Sequence, residues 1–226
     1  MKKTLLAILT VAVMAVTKVG ALTVTVDYVT GYHAGSGGEF NVSPITGVGY
    51  APVDLYNNNS GQLGFGTFCV DRDTPIVVPG QYTAVVNPNG ITSSGNQISI
   101  GTAWLFQQFA YGTLAGYDYT PGAGRASSAF NLQLAIWTLE GTYNYQGNPN
   151  GGNIFLQKIE QLYGSIAAGS VDNNQQISVG VLLLTDPRTG QNAQPMLTLL
   201  PDGGSALILL GMALSSMAVV ARKFRA

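Results

Sequence analysis

Apolar and polar residues alternate along several short segments in the first part of the chain, a pattern typical of half-buried β-strands. Leu22–Val29 is the clearest of these segments, because it combines strict alternation with β-branched residues. Glycine and proline interrupt the other segments, which predicts short strands joined by turns. The other strands predicted here are Phe40–Val42, Val48–Leu55, Leu63–Val70, Pro75–Val78 and Gln81–Val86.

The spacing of apolar residues then changes to a helical period. Phe130, Leu134 and Trp137 fall at positions i, i+4 and i+7, which places them on one face of a helix. The helices predicted are Thr102–Tyr111, a second from a cap at Ser127–Ser128 to Glu140, and Asn153–Ala168; strands Gln176–Leu184 and Pro195–Leu200 follow. Strands that precede and follow a group of helices predict an α+β fold, a mainly antiparallel β domain with a three-helix insertion.

Both ends of the chain differ from this globular pattern. Residues 1–21 combine a basic start, an apolar run and small residues before Ala21, as expected of a secretory signal peptide cleaved after that residue; an uncleaved anchor is the alternative. Residues 22–200 then form one exported domain. The segment 205–221 carries no charge. Its length of 17 residues is close to the lower limit of the roughly 17–25 residues that a transmembrane helix needs.

Basic residues follow this apolar segment directly, as expected of a stop-transfer signal: Arg222, Lys223 and Arg225. A buried helix is the alternative for the segment itself, although it is apolar on every face. We therefore expect residues 201–226 to hold a transmembrane helix over 205–221, with the basic cluster in the cytoplasm.

Charge is distributed unevenly along the chain. Residues 22–200 hold ten acidic and four basic residues, a net charge of −6, whereas the whole chain has a net charge of −1. A domain this acidic is poorly suited to binding the phosphate backbone of a nucleic acid. We therefore do not expect nucleic acid as a partner. The chain has one histidine, His33, and one cysteine, Cys69, so the sequence contains no zinc site rich in these residues and no recognisable Ser-His-Asp arrangement. We expect no metal and no cofactor.

The C-terminal segment resembles the PEP-CTERM class of bacterial sorting signals, and its VPDSG-CTERM variant in particular. The matching features are Pro201, Asp202, Gly203, Gly204 and Ser205, the apolar segment and the final basic cluster. The resemblance implies recognition by an exosortase-type membrane protease in a Gram-negative bacterium that makes exopolysaccharide. It also implies transient anchoring in the inner membrane, then transfer to the cell surface or extracellular matrix.

A second resemblance concerns Phe68-Cys69-Val70-Asp71 and, later, Leu132-Gln133-Leu134-Ala135-Ile136-Trp137. These two segments are similar to those of bacterial surface thioester domains. The resemblance implies that the sulfur of Cys69 condenses with the carboxamide of Gln133. It further implies that the resulting thioester acylates amines or hydroxyl groups on another surface.

A thioester also has chemical requirements of its own, which do not depend on the resemblance. A thioester needs a thiol and a carboxamide within bonding distance and protected from water, and the aromatic residues Phe68, Phe130 and Trp137 are candidates for that protection. Three states of Cys69 remain open at this point: a buried structural thiol, a thioester, or a disulfide to another molecule.

These observations predict an exported bacterial surface or matrix protein, adhesive or structural, and not an enzyme. Its expected partners are the exosortase-type protease, the membrane before processing, and surface amines or exopolysaccharide. The alternatives are a secreted carbohydrate-active enzyme and a passive structural protein on the same anchor.

Overall fold

Antiparallel strands and an intervening group of helices form the described part of the chain. The computed structural model describes residues 21–35, 37–45, 55–144 and 152–200. Its strands are β1 (Leu22–Asp27), β2 (His33–Ala34), β3 (Gly37–Gly38), β4 (Phe40–Ser43), β5 (Leu55–Asn57), β6 (Leu63–Thr67), β7 (Gly80–Asn87), β8 (Val179–Thr185) and β9 (Asn192–Leu199). Its helices, all between β7 and β8, are α1 (Ile100–Ala110), α2 (Ala123–Leu139), α3 (Ile154–Tyr163) and α4 (Ile166–Gly169). The predicted α+β class with a mainly antiparallel sheet is confirmed.

One sheet organises the domain, and its last strand, β9, pairs with the chain that continues from β6. The strand order is β5-β6-β4-β1-β7-β8-β9, with every neighbouring pair antiparallel. Beyond β6 the chain continues along the free side of β9, where Leu197 N–H donates to Phe68 O over 3.1 Å and Val70 N–H donates to Pro195 O over 2.9 Å. Cys69 lies opposite Met196 in this pairing. The sheet is therefore closed into a ring, and Cys69 lies at the closure.

The two faces of the closed sheet bury different side chains. One buried cluster contains Cys69, Met196 and Leu182, together with Trp137 from α2. The other contains Phe68 and residues of α1, α2 and α3. Successive residues of an extended chain point to opposite faces, so Phe68 and Cys69 belong to different clusters.

The predicted strand Pro75–Val78 is wrong. This segment has no strand partner, and the backbone of Val77 is satisfied instead by the Tyr82 hydroxyl. That hydroxyl accepts from Val77 N–H over 2.9 Å and donates to Val77 O over 2.7 Å. Pro75 and Pro79 also lack the N–H groups that a ladder requires.

The start of the second helix was also predicted wrongly. Helix α2 begins at Ala123, after Gly122 with φ 143°, so Ser127 and Ser128 lie inside it. Arg125 is almost completely buried in the first turn, and its partners described below hold that turn in place. The Ser128 hydroxyl accepts from Asp118 N–H over 3.1 Å instead of capping the helix.

The third predicted helix is divided in two. Asn153 caps α3 by accepting from Phe155 N–H and Leu156 N–H. Gly164 ends it with a left-handed φ of 84°, and Ser165 caps the short α4. The glycine supplies a conformation that other residues rarely adopt, so the chain turns there.

Several predictions fall on residues that the structure does not describe. These are the signal peptide, most of the strand Val48–Leu55, the sorting motif, the apolar segment 205–221 and the basic cluster after it. Among the described residues, none of the helices combines the length and apolar character that crossing a bilayer requires.

A buried ion pair connects α2 to the sheet. The Arg125 guanidinium donates through Nε to Glu39 Oε2 over 2.8 Å and through Nη2 to Glu39 Oε1 over 2.6 Å. The hydroxyl groups of Tyr56 and Tyr117 donate to the same carboxylate, each over 2.8 Å. Both charged side chains are almost fully buried, at 1% and 0% exposure for Arg125 and Glu39. The carboxylate is thus satisfied by four donors, as a buried charge requires.

Further contacts complete the surroundings of this pair. Arg125 Nη1 donates to Tyr119 O over 2.6 Å, and its guanidinium lies 3.9 Å from the centre of the Tyr32 ring. A Cβ atom at Gly66 would lie only 2.5 Å from Glu39 Oε1, so β6 needs glycine at this point. Sequence analysis did not identify this cluster, because its members are distant in the chain.

Replacing Arg125 with Met should destabilise the domain by about 3–5 kcal/mol, because Glu39 would remain buried without its counter-ion. Urea unfolding followed by circular dichroism measures the loss. The matched control is Arg188→Met, since Arg188 pairs with Asp186 on the surface and is 73% exposed. A similar small effect for both variants would contradict the proposed importance of the buried pair.

Burial, followed by the negative charge of Glu39, raises the pKa values of Tyr56 and Tyr117 well above the ordinary tyrosine value. In the unfolded chain these phenols ionise near pH 10. The folded state keeps them neutral to higher pH, so the stability that they contribute is fully present below about pH 10 and is lost as the pH rises beyond it.

We therefore expect the free energy of unfolding to fall steeply between about pH 9.5 and 11. Tyr117→Phe, which removes one of the two titrations, should lower stability at pH 8 but flatten this decline. Urea unfolding across the pH range measures both slopes. Equal slopes for the two proteins would show that other groups cause the alkaline loss.

Candidate functional site

Cys69 and Gln133 are brought into contact at the closure of the sheet. Both residues are 0% exposed. The Cys69 sulfur lies 3.1 Å from Gln133 Oε1. Cys69 is the only cysteine in the chain, so no disulfide within the chain competes for the sulfur.

The carboxamide of Gln133 also pairs with the backbone of Cys69. Cys69 N–H donates to Gln133 Oε1 over 3.1 Å, and Gln133 Nε2 donates to Cys69 O over 2.7 Å. The side chain from α2 therefore acts as a strand partner would, satisfying both backbone groups of one residue. This pairing fixes the orientation of the carboxamide relative to the sulfur.

The distance from sulfur to oxygen sets a limit on the distance that matters for a covalent bond. A carbonyl bond is about 1.23 Å long. Since Cys69 Sγ is 3.1 Å from Gln133 Oε1, it lies within roughly 4.3 Å of the carbonyl carbon. Reacting atoms in a near-attack geometry are about 3–3.5 Å apart, so at most a small side-chain rotation separates the two groups from that geometry.

Trp137 encloses the sulfur from α2. It lies four residues after Gln133, so the two side chains share one face of the helix. Its indole Nε1–H is buried and finds no partner of good hydrogen-bond geometry among the described residues. Burial raises the pKa of the Cys69 thiol; its own backbone N–H opposes this rise, the charge of Asp71 adds to it, and Trp137 opposes it. The free thiol therefore stays protonated.

Gly37, in the hairpin formed by β2 and β3, lies against the side chains of Gln133 and Trp137. A Cβ atom at this position would lie 2.7 Å from Gln133 Cγ and 2.8 Å from a ring carbon of Trp137. Contacts this short are not tolerated, so only glycine lets the hairpin lie so close to α2. The hairpin therefore packs directly on α2 at Gln133 and Trp137.

A cleft of about 530 Å³ begins at the edge of this compartment. Gly37 and Trp137 belong both to the wall of the cleft and to the cover over Gln133. The outer walls include Tyr28, Arg72 and Tyr143. The cleft thus leads from solvent to Gly37 and Trp137, the two residues that separate it from the buried Gln133 side chain.

The three aromatic residues that were expected to shield the sulfur of Cys69 from water lie at different places relative to it. Trp137 lies beside the sulfur, as described above. Phe130 is 38% exposed and lines the outer cleft next to Gly35. Phe68 packs edge-on against Phe109 in the other buried cluster, with ring centres 4.9 Å apart, and so lies on the opposite face of the chain from Cys69. Strand alternation alone would have separated Phe68 from Cys69.

His33 and Asp71, two polar residues near the site, make local contacts. His33 stacks on Tyr28 with ring centres 4.0 Å apart, beside the cleft wall. The carboxylate of Asp71 accepts from Asp73 N–H and from the Thr74 hydroxyl, as in an ordinary turn. Within the described ranges, no group of three or more metal-ligating side chains is present.

Gly37 and Arg72 belong to this site although the sequence did not indicate them. The Gly37–Gly38 pair was the only local signal, because adjacent glycines often mark a close approach of the backbone. Arg72 and Tyr143 come together only in the fold, with the guanidinium 5.2 Å from the ring centre.

Comparison with known proteins assigns the chain to no family. No protein-family model matches the chain, and neither a curated protein nor a solved structure is similar enough to count as a match.

Proposed function

We propose that this protein is an exported surface or matrix protein that attaches covalently through an internal thioester between Cys69 and Gln133. The observation that carries the proposal is the distance of 3.1 Å between Cys69 Sγ and Gln133 Oε1 inside a fully buried compartment. A thiol and a carboxamide held this close, with water excluded, meet the geometric requirement for condensation.

The hydrogen bonds around the carboxamide support this reaction. When sulfur attacks the carbonyl carbon, negative charge develops on Gln133 Oε1, and Cys69 N–H already donates to that oxygen. Collapse of the intermediate breaks the carbon–nitrogen bond. The nitrogen leaves as ammonia and takes the proton of the thiol, so the bond forms without a cofactor or an external reagent.

The environment of the sulfur also supports a slow-reacting thioester. Opening the thioester releases a thiolate, which is disfavoured where burial raises the thiol pKa. The unpaired indole N–H of Trp137 is the group placed to stabilise that departing charge. The compartment would therefore protect the bond until an acceptor reaches it through the cleft.

Export and sorting are proposed on the sequence of the two ends. The apolar leader ending at Ala21 supports secretion. The motif Pro201–Ser205, the apolar segment 205–221 and the basic residues after it support sorting by an exosortase-type protease, from the inner membrane to the surface or matrix. Glycoside hydrolysis requires a pair of carboxylates. The described residues that line the cleft beside Gln133 include no Asp or Glu, so an enzyme of that class is less well supported there.

We expect the intact mass of the purified protein to be about 17 Da lower than the mass calculated for its processed polypeptide, because condensation releases one ammonia. It should also have no thiol that reacts with iodoacetamide after denaturation. Gln133→Asn shortens the side chain by one methylene and should restore both the full mass and the free thiol. Gln81→Asn, at an exposed position of β7, is the matched control. An unmodified mass with a reactive thiol in the wild type would refute the thioester.

Trp137→Phe should slow opening of the thioester by methylamine roughly tenfold or more, because a hydrogen bond to a developing charge contributes about 1.5–3 kcal/mol. Mass spectrometry of methylamine uptake over time measures the rate. Trp104→Phe, which makes the same change on α1, should leave the rate unchanged. If Trp137→Phe forms the thioester and opens it as fast as the wild type, the indole has no role in stabilising the leaving sulfur.

A further inference from the structure

The cleft beside Gln133 has the features of a ligand site and not merely of an access route. Its volume of about 530 Å³ falls within the range of roughly 300–1,000 Å³ found for small-molecule sites. Aromatic rings from three separate parts of the chain line it: Tyr28, Trp137 and Tyr143. Tyr28 is held by stacking against both His33 and Phe40, so this wall is rigid.

Charge inside the cleft restricts the kind of ligand that fits it. Of the described residues that line it, Arg72 alone is charged. Among the described residues Arg72 forms no ion pair, and its guanidinium lies over the Tyr143 ring at 5.2 Å. The neighbouring Asp71 carboxylate is occupied by Asp73 N–H and the Thr74 hydroxyl. Within the described lining, the cleft therefore presents a guanidinium that can bind an acidic group and no carboxylate that could bind an ammonium group.

Aromatic and polar surfaces in the cleft suit a sugar more than a peptide. One face of a pyranose ring exposes C–H groups, which pack well on an aromatic ring. Arg72 can bind a carboxylate with two parallel hydrogen bonds. Since the domain as a whole has a net charge of −6, the attraction to an acid is local to Arg72 and favours a short saccharide over a long polyanion.

We propose that this cleft binds an acidic saccharide, with the sugar carboxylate on Arg72, a ring face on the aromatic wall and a hydroxyl group directed towards Gln133. This inference names the acceptor of the proposed thioester and, for its covalent step, rests on that proposed function. The binding step does not depend on the thioester.

The covalent step transfers the acyl group of Gln133 to the sugar. The hydroxyl oxygen attacks the carbonyl carbon of Gln133, a carbon–oxygen bond forms, and the carbon–sulfur bond breaks. The electron pair of that bond and the proton of the hydroxyl group both go to the sulfur of Cys69. The products are an ester on the side chain of residue 133 and a free thiol, so no other reactant is needed.

Binding is tested with the Cys69→Ala variant of the full chain, which cannot form a thioester. Calorimetric titration compares a galacturonate trisaccharide with the neutral galactose trisaccharide of the same linkage. We expect the acidic trisaccharide to bind at least tenfold more tightly, and Arg72→Gln in the same background to abolish that preference. Arg188→Gln, which removes a surface charge elsewhere, is the matched control and should leave the preference intact.

Other ligands provide the outcomes that overturn the inference. Equal binding of the acidic and neutral trisaccharides, or no binding of either, would refute the acidic-saccharide site. Tighter binding of a glutamate-rich tripeptide would assign the cleft to acidic peptides instead. Preferential binding of a lysine tripeptide would contradict the charge argument directly. Arg72 is exposed, so its replacement tests the ligand contact without disturbing the core.

The covalent step is tested separately by incubating the wild-type protein with each trisaccharide and measuring intact mass. An ester adduct on residue 133 with galacturonate supports both proposals. Saccharide binding by Cys69→Ala without the 17 Da loss in the wild type would refute the thioester and leave the binding site standing. Methylamine uptake by the wild type without saccharide binding would refute the binding site and leave the thioester standing.

Discussion

The buried pair of Arg125 and Glu39 is the constraint on which the arrangement of the site depends. Two charges in the core are tolerated only because each is fully paired: the carboxylate has four donors, and the guanidinium binds the carboxylate, a backbone carbonyl and aromatic faces. Such a network has a single good geometry. It therefore fixes the first turn of α2 against β4, and Gln133 is carried eight residues further along the same rigid helix to a defined place.

The second constraint is the closure of the sheet. Where the chain leaves β6 and joins β9, the backbone of Cys69 has no strand on its other side. The Gln133 carboxamide provides the missing donor and acceptor. A polar side chain buried for a structural reason is thereby placed against the one thiol of the chain. The same hydrogen bonds satisfy the backbone of Cys69 and orient the carboxamide of Gln133 relative to the sulfur.

A protected electrophile must meet two opposing demands, since water has to be excluded and an acceptor has to enter. Gly37 and Trp137 meet the first demand by covering the carboxamide at close range. The cleft meets the second by leading from solvent to that cover. For the proposed thioester, selectivity would then depend on what the cleft binds, because such a bond reacts with any nucleophile that reaches it. Arg72 takes no part in the proposed bond, but under this proposal it would determine which partner binds in the cleft.

Much of the outline was present in the sequence. Alternation and helical periodicity determined most strands and helices, and the spacing of residues on α2 placed Gln133 and Trp137 on one face. Strand alternation also indicates that Phe68 and Cys69 point to opposite faces. The expectation that Phe68 shields the sulfur did not take this into account. Only the tertiary structure decided that the sheet closes at Cys69, that Gly37 lies on Gln133 and that Arg125 meets Glu39. Those contacts join residues distant in the chain, and no local pattern encodes them, because their energies exist only once the sheet has closed and α2 has packed against it.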